Sequence, residues 1–256
     1  MKTLVKLLAG TAIAASAFTA SAFADIKLGL DSAPYAPFYA RDAGGKWEGF
    51  EIELGEALCK AMNEECTWVP VAWDGIIPAL TSGQIDAIVG SMSITDERKK
   101  TIDFSDKYYN TPAALVAAKG GDIKSVEDLK GKRVAVQVST THANYADKAA
   151  KPAGAEVKVY DDFNAHNQDL FAGRVDAVIA DSLAMEPFLK SAEGAGFEVV
   201  ATLKDEATFG VGVGAGVRKE DQELKEKFNA AIKQIREDGT YDEIAKKYFS
   251  FDIYGG

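Results

Sequence analysis

The chain has 256 residues, of which 47% are apolar and 27% charged, and a formal net charge of −10. That is enough apolar material for one large or two modest cores, and acidic and basic residues mixed along the whole length argue against nucleic acid and anionic membrane surfaces as partners. Ordinary solubility accounts for an acidic balance of this size, which leaves the sign of any ligand to local residues.

Residues 1–24 read as a secretory signal peptide: Lys2 and Lys6, an apolar run over 7–18, then the small-residue site Ala22-Phe23-Ala24. Cleavage after Ala24 leaves 232 residues starting at Asp25, and losing Lys2 and Lys6 takes the net charge to −12. No Cys follows the cleavage point, so a bacterial lipid anchor is not indicated. No later apolar run reaches the roughly 18 residues of a membrane span, so direct membrane insertion is not expected.

From Asp25 the pattern predicts a strand at 26–30, a turn rich in proline (Pro34, Pro37), a hairpin tip at Gly44-Gly45, a helix over 51–62 and a strand at 67–71. A helix at about 75–81 and a strand at 85–89 follow, the βαβ alternation of a doubly wound sheet. The only cysteines, Cys59 and Cys66, fall at the end of the first helix and the start of the next strand. In an oxidising compartment a disulfide between them is the favoured reading. A metal site would have to be completed by His142 and His166, which lack ligand spacing, and a catalytic thiol has no nearby histidine. No cofactor or metal is expected.

Strand 85–89 empties into Gly90-Ser91-Met92-Ser93-Ile94-Thr95-Asp96-Glu97-Arg98. Such a turn can hold a carboxylate: Ser91 and Ser93 offer hydroxyl and N–H groups, the helix start at Thr95 favours an anion, and Arg98 supplies a bidentate fork. Taken alone, the segment is equally well a surface turn with a solvated arginine. A second copy shifts the balance, because Leu80 to Ser91 matches Leu170 to Asp181 about ninety residues on. Each copy reads as a helix end, a capping Gly and a short strand with no polar face, as in a parallel sheet covered on both sides. Two similar α/β units are expected, with Ser91 and Asp181 in register just past strand ends, where open α/β sheets place ligands.

Residues 108–119 read as extended, and the segment 126–136 opens a new unit, so the first crossing between domains is placed here. A helix at 143–150, a strand at 156–160, the repeat copy at 170–181, an extended segment at 208–213 and helices at 224–238 and 241–248 complete the chain. Two interdomain strands with site residues between them imply a hinge at 109–113 and 206–213. Within the second unit, Val138-Ser139-Thr140-Thr141-His142 lies between strand and helix; it is read either as simple capping by Ser139 or Thr140 or as a second ligand-holding turn.

The assembled pattern resembles the periplasmic amino-acid-binding proteins of ABC importers, particularly the lysine/arginine/ornithine-, histidine- and opine-binding group. The resemblance covers nearly all of 25–256. It rests on Tyr35-Ala36-Pro37-Phe38, Gly49-Phe50-Glu51-Ile52-Glu53-Leu54, the segment from Ser91 to Arg98, Phe104-Ser105, Asp128-Leu129-Lys130-Gly131-Lys132, Asp238-Gly239-Thr240-Tyr241 and Lys246-Lys247-Tyr248-Phe249. It implies two doubly wound α/β domains of the type II periplasmic-binding kind joined by two hinge strands, residues 25–110 with 207–256 and residues 111–206. Cys59 and Cys66 match a disulfide of the basic-amino-acid members.

By the same resemblance, Arg98 grips the ligand α-carboxylate with N–H groups of Ser93 and Thr141, while Asp181 and Ser91 hold the α-ammonium. Tyr35 and Trp73 form aromatic walls, which for a cationic side chain add roughly 0.5–2 kcal/mol. Asp31 corresponds to an acidic residue that meets the distal cation, although one residue more separates it from Tyr35 than the family pattern has. Gln137 sits where another side-chain contact is expected, and Thr140 and His142 depart from the Ser and Gln common there. The implied partners are a small-molecule amino acid and a membrane permease, with the protein a periplasmic monomer and not an enzyme. Two alternatives stay open: a cyclohexadienyl-type dehydratase on the same fold, which needs a cleft acid, and a ligand sensor for a membrane receptor.

Overall fold

The computed structural model describes residues 25–255, and the expected signal peptide at 1–24 lies outside them. β1 (Ile26–Asp31) leads to a hairpin of β2 (Ala40–Arg41) and β3 (Trp47–Glu48), then to α1 (Phe50–Met62), β4 (Cys66–Val71), α2 (Ile76–Thr81), β5 (Ala87–Ile88), α3 (Asp96–Lys99) and β6 (Asp103–Tyr109). Residues 110–112 carry the chain to β7 (Ala113–Ala118), β8 (Arg133–Gln137), α4 (Thr141–Tyr145), β9 (Glu156–Tyr160), α5 (Phe163–Phe171), β10 (Ala177–Asp181), α6 (Ser182–Lys190), β11 (Phe197–Leu203) and α7 (Glu206–Phe209). It returns through β12 (Val213–Val217), α8 (Gln222–Glu237) and α9 (Thr240–Tyr248).

Two five-stranded sheets result, ordered β4-β1-β5-β12-β6 and β9-β8-β10-β7-β11. They agree position by position. β1 and β8 run parallel to both neighbours, whereas the fourth strand of each sheet, β12 or β7, is antiparallel to both of its own. The sheets are therefore mixed, and the repeat strands β5 and β10, read as members of parallel sheets, are parallel to β1 and β8 on one side and antiparallel to β12 and β7 on the other. β7 and β12 are each the first strand after a crossing and reach their places without the helical crossover that imposes parallel direction.

The internal repeat is visible in hydrogen bonds. Gly83 and Gly173 end their helices at φ 77° and 68°, values glycine adopts without strain. Three residues on, Asp86 Oδ2 accepts the N–H of Lys27 at 3.0 Å, and Asp176 Oδ2 accepts that of Arg133 at 2.7 Å. Each aspartate ties the strand it precedes to the first residues of the central parallel strand, so the two copies arrive at the sheet in the same register.

Three expectations need correction. The extended run at 108–119 is two strands in different sheets, parted at 110–112 by Pro112, which has no N–H for a ladder. The segment expected to be extended at 208–213 opens with α7, where Thr208 Oγ1 donates to Asp205 Oδ2 at 2.8 Å; past Gly210, at φ 84°, the backbone pairs locally with Ile94 through the Val211 N–H and the Gly212 carbonyl, and the strand proper begins at Val213. The helix expected at 143–150 starts at Thr141, because Thr140 Oγ1 accepts the Ala143 N–H at 3.1 Å, and passes into a π turn over Ala146–Ala150.

The first domain's core is built on a helical stripe. Phe50, Leu54 and Leu58 fall at four-residue spacing on α1 and are fully buried, and they meet Phe228, Ile232 and Ile235 of α8 and Tyr241 and Ile244 of α9. Glu51 and Glu53 sit in the first turn of α1 and Lys60 in its last, in the sense the helix dipole favours, and Asn63 closes it in the left-handed region at φ 56°.

Cys59 and Cys66 are disulfide-bonded with Cα atoms 6.2 Å apart, tying the last turn of α1 to the first residue of β4. The loop they close is short, so on the chain-entropy estimate the bond contributes about 2–3 kcal/mol. A Cys59→Ser/Cys66→Ser double variant is expected to lose about that much in denaturant titration and still bind ligand. Free thiols in protein recovered from the periplasm would contradict it.

Candidate functional site

A cleft of about 470 Å³ opens between the two sheets and is lined by residues from the carboxyl ends of their strands. Asp31 ends β1; Gly90, Ser91 and Ser93 follow β5; Arg98 lies on α3; Gln137 ends β8; Thr141 begins α4; and Asp181 ends β10. Tyr35 enters from the loop after β1, and Trp73 from the turn after β4. All nine residues singled out from the sequence line this one cavity.

Arg98 is held in place by groups of the protein itself. Thr95 Oγ1 caps α3 by accepting the Arg98 N–H at 3.2 Å, and Nη1 donates to the Ser93 carbonyl at 3.0 Å. From the other sheet, the Ser139 carbonyl accepts from Arg98 Nη2 at 3.3 Å and from Trp73 Nε1 at 3.2 Å. Ser139 presents that carbonyl from a left-handed backbone at φ 57°. The guanidinium carbon also lies 5.6 Å from the centre of the Trp73 ring, so Trp73 contacts the cation as well as forming a wall. Arg98 keeps part of its surface open to the cleft, yet desolvation draws its pKa down to about 10, with Asp181 opposing the shift. It stays charged at neutral pH. Among the described residues no acceptor is paired with the N–H of Ser93 or of Thr141, so two backbone donors and a fork face the same space.

Asp181 is 8% exposed and lies on the other sheet. Its Oδ2 accepts the Tyr35 hydroxyl at 2.7 Å, a bond across the cleft, and its Oδ1 is 3.3 Å from His142 Nε2, off the line of a hydrogen bond. Burial and the nearby Asp181 carboxylate push the Tyr35 hydroxyl well above its ordinary range, so it remains a donor. Tyr35 is thus both a wall, edge-on to Phe163 at 4.8 Å, and a tether for Asp181.

Asp31 is 6% exposed, and among the described residues its carboxylate accepts from neutral donors, the Ala33 N–H at 3.1 Å and Gln137 Nε2 at 3.0 Å. Desolvation raises its pKa, and these two hydrogen bonds oppose the rise. Asp31 is the last residue of β1. Among the described residues no Lys or Arg forms an ion pair with it, and no cluster of His, Cys, Asp and Glu is placed to hold a metal.

Ser91 is engaged from behind. Its N–H and Oγ meet the two oxygens of Glu51 at 2.9 and 3.0 Å, and its Oγ lies 2.6 Å from the Tyr109 hydroxyl. Glu51, Tyr39, Phe163 and His166 were not picked out from the sequence. Phe163 and His166 sit three apart on α5 behind the cap Asp162, and that spacing on a helix that starts after a strand end was the available signal. Tyr39 had a similar signal, four residues after Tyr35.

The sequence pattern of the bacterial extracellular solute-binding proteins, family 3, is matched by residues 26–251. The L-arginine-binding protein of Pseudomonas aeruginosa is 47% identical over 233 residues, 90% of this chain and 90% of that protein. The lysine/arginine/ornithine-binding periplasmic protein of Escherichia coli is 43% identical over 254 residues, 98% and 97% of the two chains. Among solved structures, an ancestral arginine-binding protein bound to arginine superposes with a TM-score of 0.81 at 42% identity, over 88% of this chain and 98% of that one. These relatives have the expected two-domain α/β fold and are binding proteins, not enzymes. Among the described residues no helix is long and apolar enough to cross a membrane.

Proposed function

We propose, from the premise that the chain belongs to the bacterial extracellular solute-binding proteins, family 3, that it captures a basic amino acid in the periplasm and delivers it to the permease of an ABC importer. The observation that carries the choice of ligand is Asp31: a buried carboxylate in the cleft wall whose partners among the described residues are neutral N–H groups of the backbone and of an amide. A buried charge without a counter-charge is costly, and a cationic side chain reaching that end of the cleft would supply one. Among the described residues the cleft lining holds two carboxylates, Asp31 and Asp181, and one guanidinium, Arg98, so an amino acid with one carboxylate and two cationic groups balances it. In this reading Arg98 with the Ser93 and Thr141 N–H groups takes the α-carboxylate, Asp181 and Ser91 take the α-ammonium, and Tyr35, Trp73 and Gln137 flank the side chain.

Residues 25–110 with 207–256 act as one domain and 111–206 as the other, closing by bends at 109–113 and 206–213. The two sheets and the crossings between β6 and β7 and between β11 and β12 support that division. Both halves of the site come from one chain, which supports a monomer, and the leader at 1–24, cleaved after Ala24, accounts for export. The dehydratase alternative lacks support, since both cleft carboxylates are already engaged by hydrogen bonds and the relatives are binding proteins.

Calorimetric titration with arginine, lysine, ornithine, histidine, glutamate and leucine is the test. A basic amino acid is expected to bind most tightly, and Asp31→Asn to weaken it about thirtyfold, or roughly 2 kcal/mol, with little change for a neutral amino acid. Tighter binding of glutamate or leucine than of every basic amino acid would overturn the ligand class.

A further inference from the structure

We propose that Glu51, which does not line the cleft, is a positioning residue that sets the polarity of the α-ammonium subsite through Ser91; the inference rests on the site reading above. Glu51 is the second residue of α1 and is fully buried. Its Oε1 accepts the Ser91 N–H at 2.9 Å and the Tyr108 hydroxyl at 2.7 Å; its Oε2 lies 3.0 Å from Ser91 Oγ and 3.2 Å from the Tyr109 hydroxyl. Among the described residues no Lys or Arg pairs with it. A helix first turn favours an acidic residue by its dipole, but surface exposure would serve that purpose equally well. Four N–H and O–H groups converging on a buried carboxylate from two other segments of the chain, three of them donating to it in either proton arrangement below, need a different reason.

That reason is the direction of the Ser91 proton. An ionised carboxylate only accepts, so the hydroxyl protons of Ser91 and Tyr109 can be arranged in two ways. In one, Ser91 donates to Glu51 Oε2 and Tyr109 donates to Ser91 Oγ across the 2.6 Å contact; in the other, Tyr109 donates to Glu51 and Ser91 donates to Tyr109. Both point the Ser91 proton away from the cleft. Toward the ligand, Ser91 Oγ then presents lone pairs alone, which suit an ammonium donor. The backbone is held as well: Ser91 lies at φ 57°, where residues other than Gly, Asn and Asp are seldom found, and its N–H is fixed by the same carboxylate. A glutamine at this position would turn an amide N–H toward Ser91 or Tyr109 and free the Ser91 proton to rotate into the cleft, where it would oppose an ammonium.

The test compares arginine with 5-guanidinopentanoic acid, the same molecule without its amino group, by calorimetry on wild type, Glu51→Gln and Tyr109→Phe. Glu51→Gln is expected to weaken arginine at least tenfold and the des-amino compound less than threefold. Tyr109→Phe, which removes one hydroxyl of the network and keeps the ring, is expected to weaken arginine about threefold with the same selectivity; it decides the matter if Glu51→Gln does not fold. An equal loss for both compounds in these variants, or no loss for arginine, overturns the role of Glu51 and leaves the site reading intact. A wild type that binds the two compounds equally overturns the ammonium subsite and Glu51 with it. If the wild type does not bind arginine, whichever amino acid binds most tightly in the titration above and its des-amino analogue carry the same comparison, leucine with 4-methylpentanoic acid being one such pair.

Discussion

Arg98→Ala and Asp181→Ala are each expected to weaken amino-acid binding by at least about thirtyfold, which corresponds to roughly 2 kcal/mol. On the proposed reading each removes one end of the clamp and leaves the opposing ligand charge desolvated without a partner, a loss that typically costs 2–5 kcal/mol. The two losses differ in kind. Arg98 also bonds the Ser93 carbonyl on its own side and the Ser139 carbonyl on the other, so its removal loosens the contact between the sheets as well. Arg98→Lys is expected to recover little, because a single ammonium cannot replace a fork that meets two carbonyls and a carboxylate together. Asp181→Ala frees the Tyr35 hydroxyl and leaves the ammonium to Ser91 alone. Calorimetry giving near-native affinity for either alanine variant would remove that residue from the site.

The second large effect concerns acid stability. His166 is 1% exposed on α5, stands edge-on to Phe163 at 4.9 Å, and among the described residues has no hydrogen-bond partner for Nδ1. Burial lowers its pKa to about 3, with Asn167 opposing the shift and His142 adding to it. In the unfolded chain a histidine titrates near 6.5, so between these values the unfolded state binds the additional proton and stability falls with falling pH. The contribution is fully present above about pH 6.5 and is lost progressively toward pH 3. Between pH 6.5 and 4.5 it amounts to about 2 kcal/mol. Asp31 and Glu51, whose pKa values are raised by burial, act in the opposite sense at the lower end of that window, so the difference between wild type and His166→Phe is the quantity to measure. Urea denaturation at the two pH values is expected to show a shallower acid dependence in the variant by about that amount. Parallel profiles would mean that His166 is not neutral in the folded protein.

Much of the site was legible along the chain because strand ends are. The repeated run of helix end, capping glycine and apolar strand located Ser91 and Asp181 at equivalent ends of two sheets, and the hydroxyl-rich turns after the strands marked Arg98 and Thr141. Cys59 and Cys66 paired as expected because their separation is short and no other cysteine competes. These features depend on neighbours within a few residues, and local spacing carries that information.

What could not be read from spacing depends on partners far apart in the chain. Glu51 looks like an ordinary helix-start acid until Ser91 and Tyr108, 40 and 57 residues away, converge on it. Tyr35 was read only as a wall, and its bond to Asp181 spans 146 residues. The antiparallel strands β7 and β12 have the same apolar pattern as the parallel strands beside them, since a strand buried on both faces shows no period that distinguishes direction. Periodicity fixes which residues are turned inward; which buried polar groups meet there is settled by desolvation and hydrogen bonding between segments, and those act only once the chain has brought the segments together.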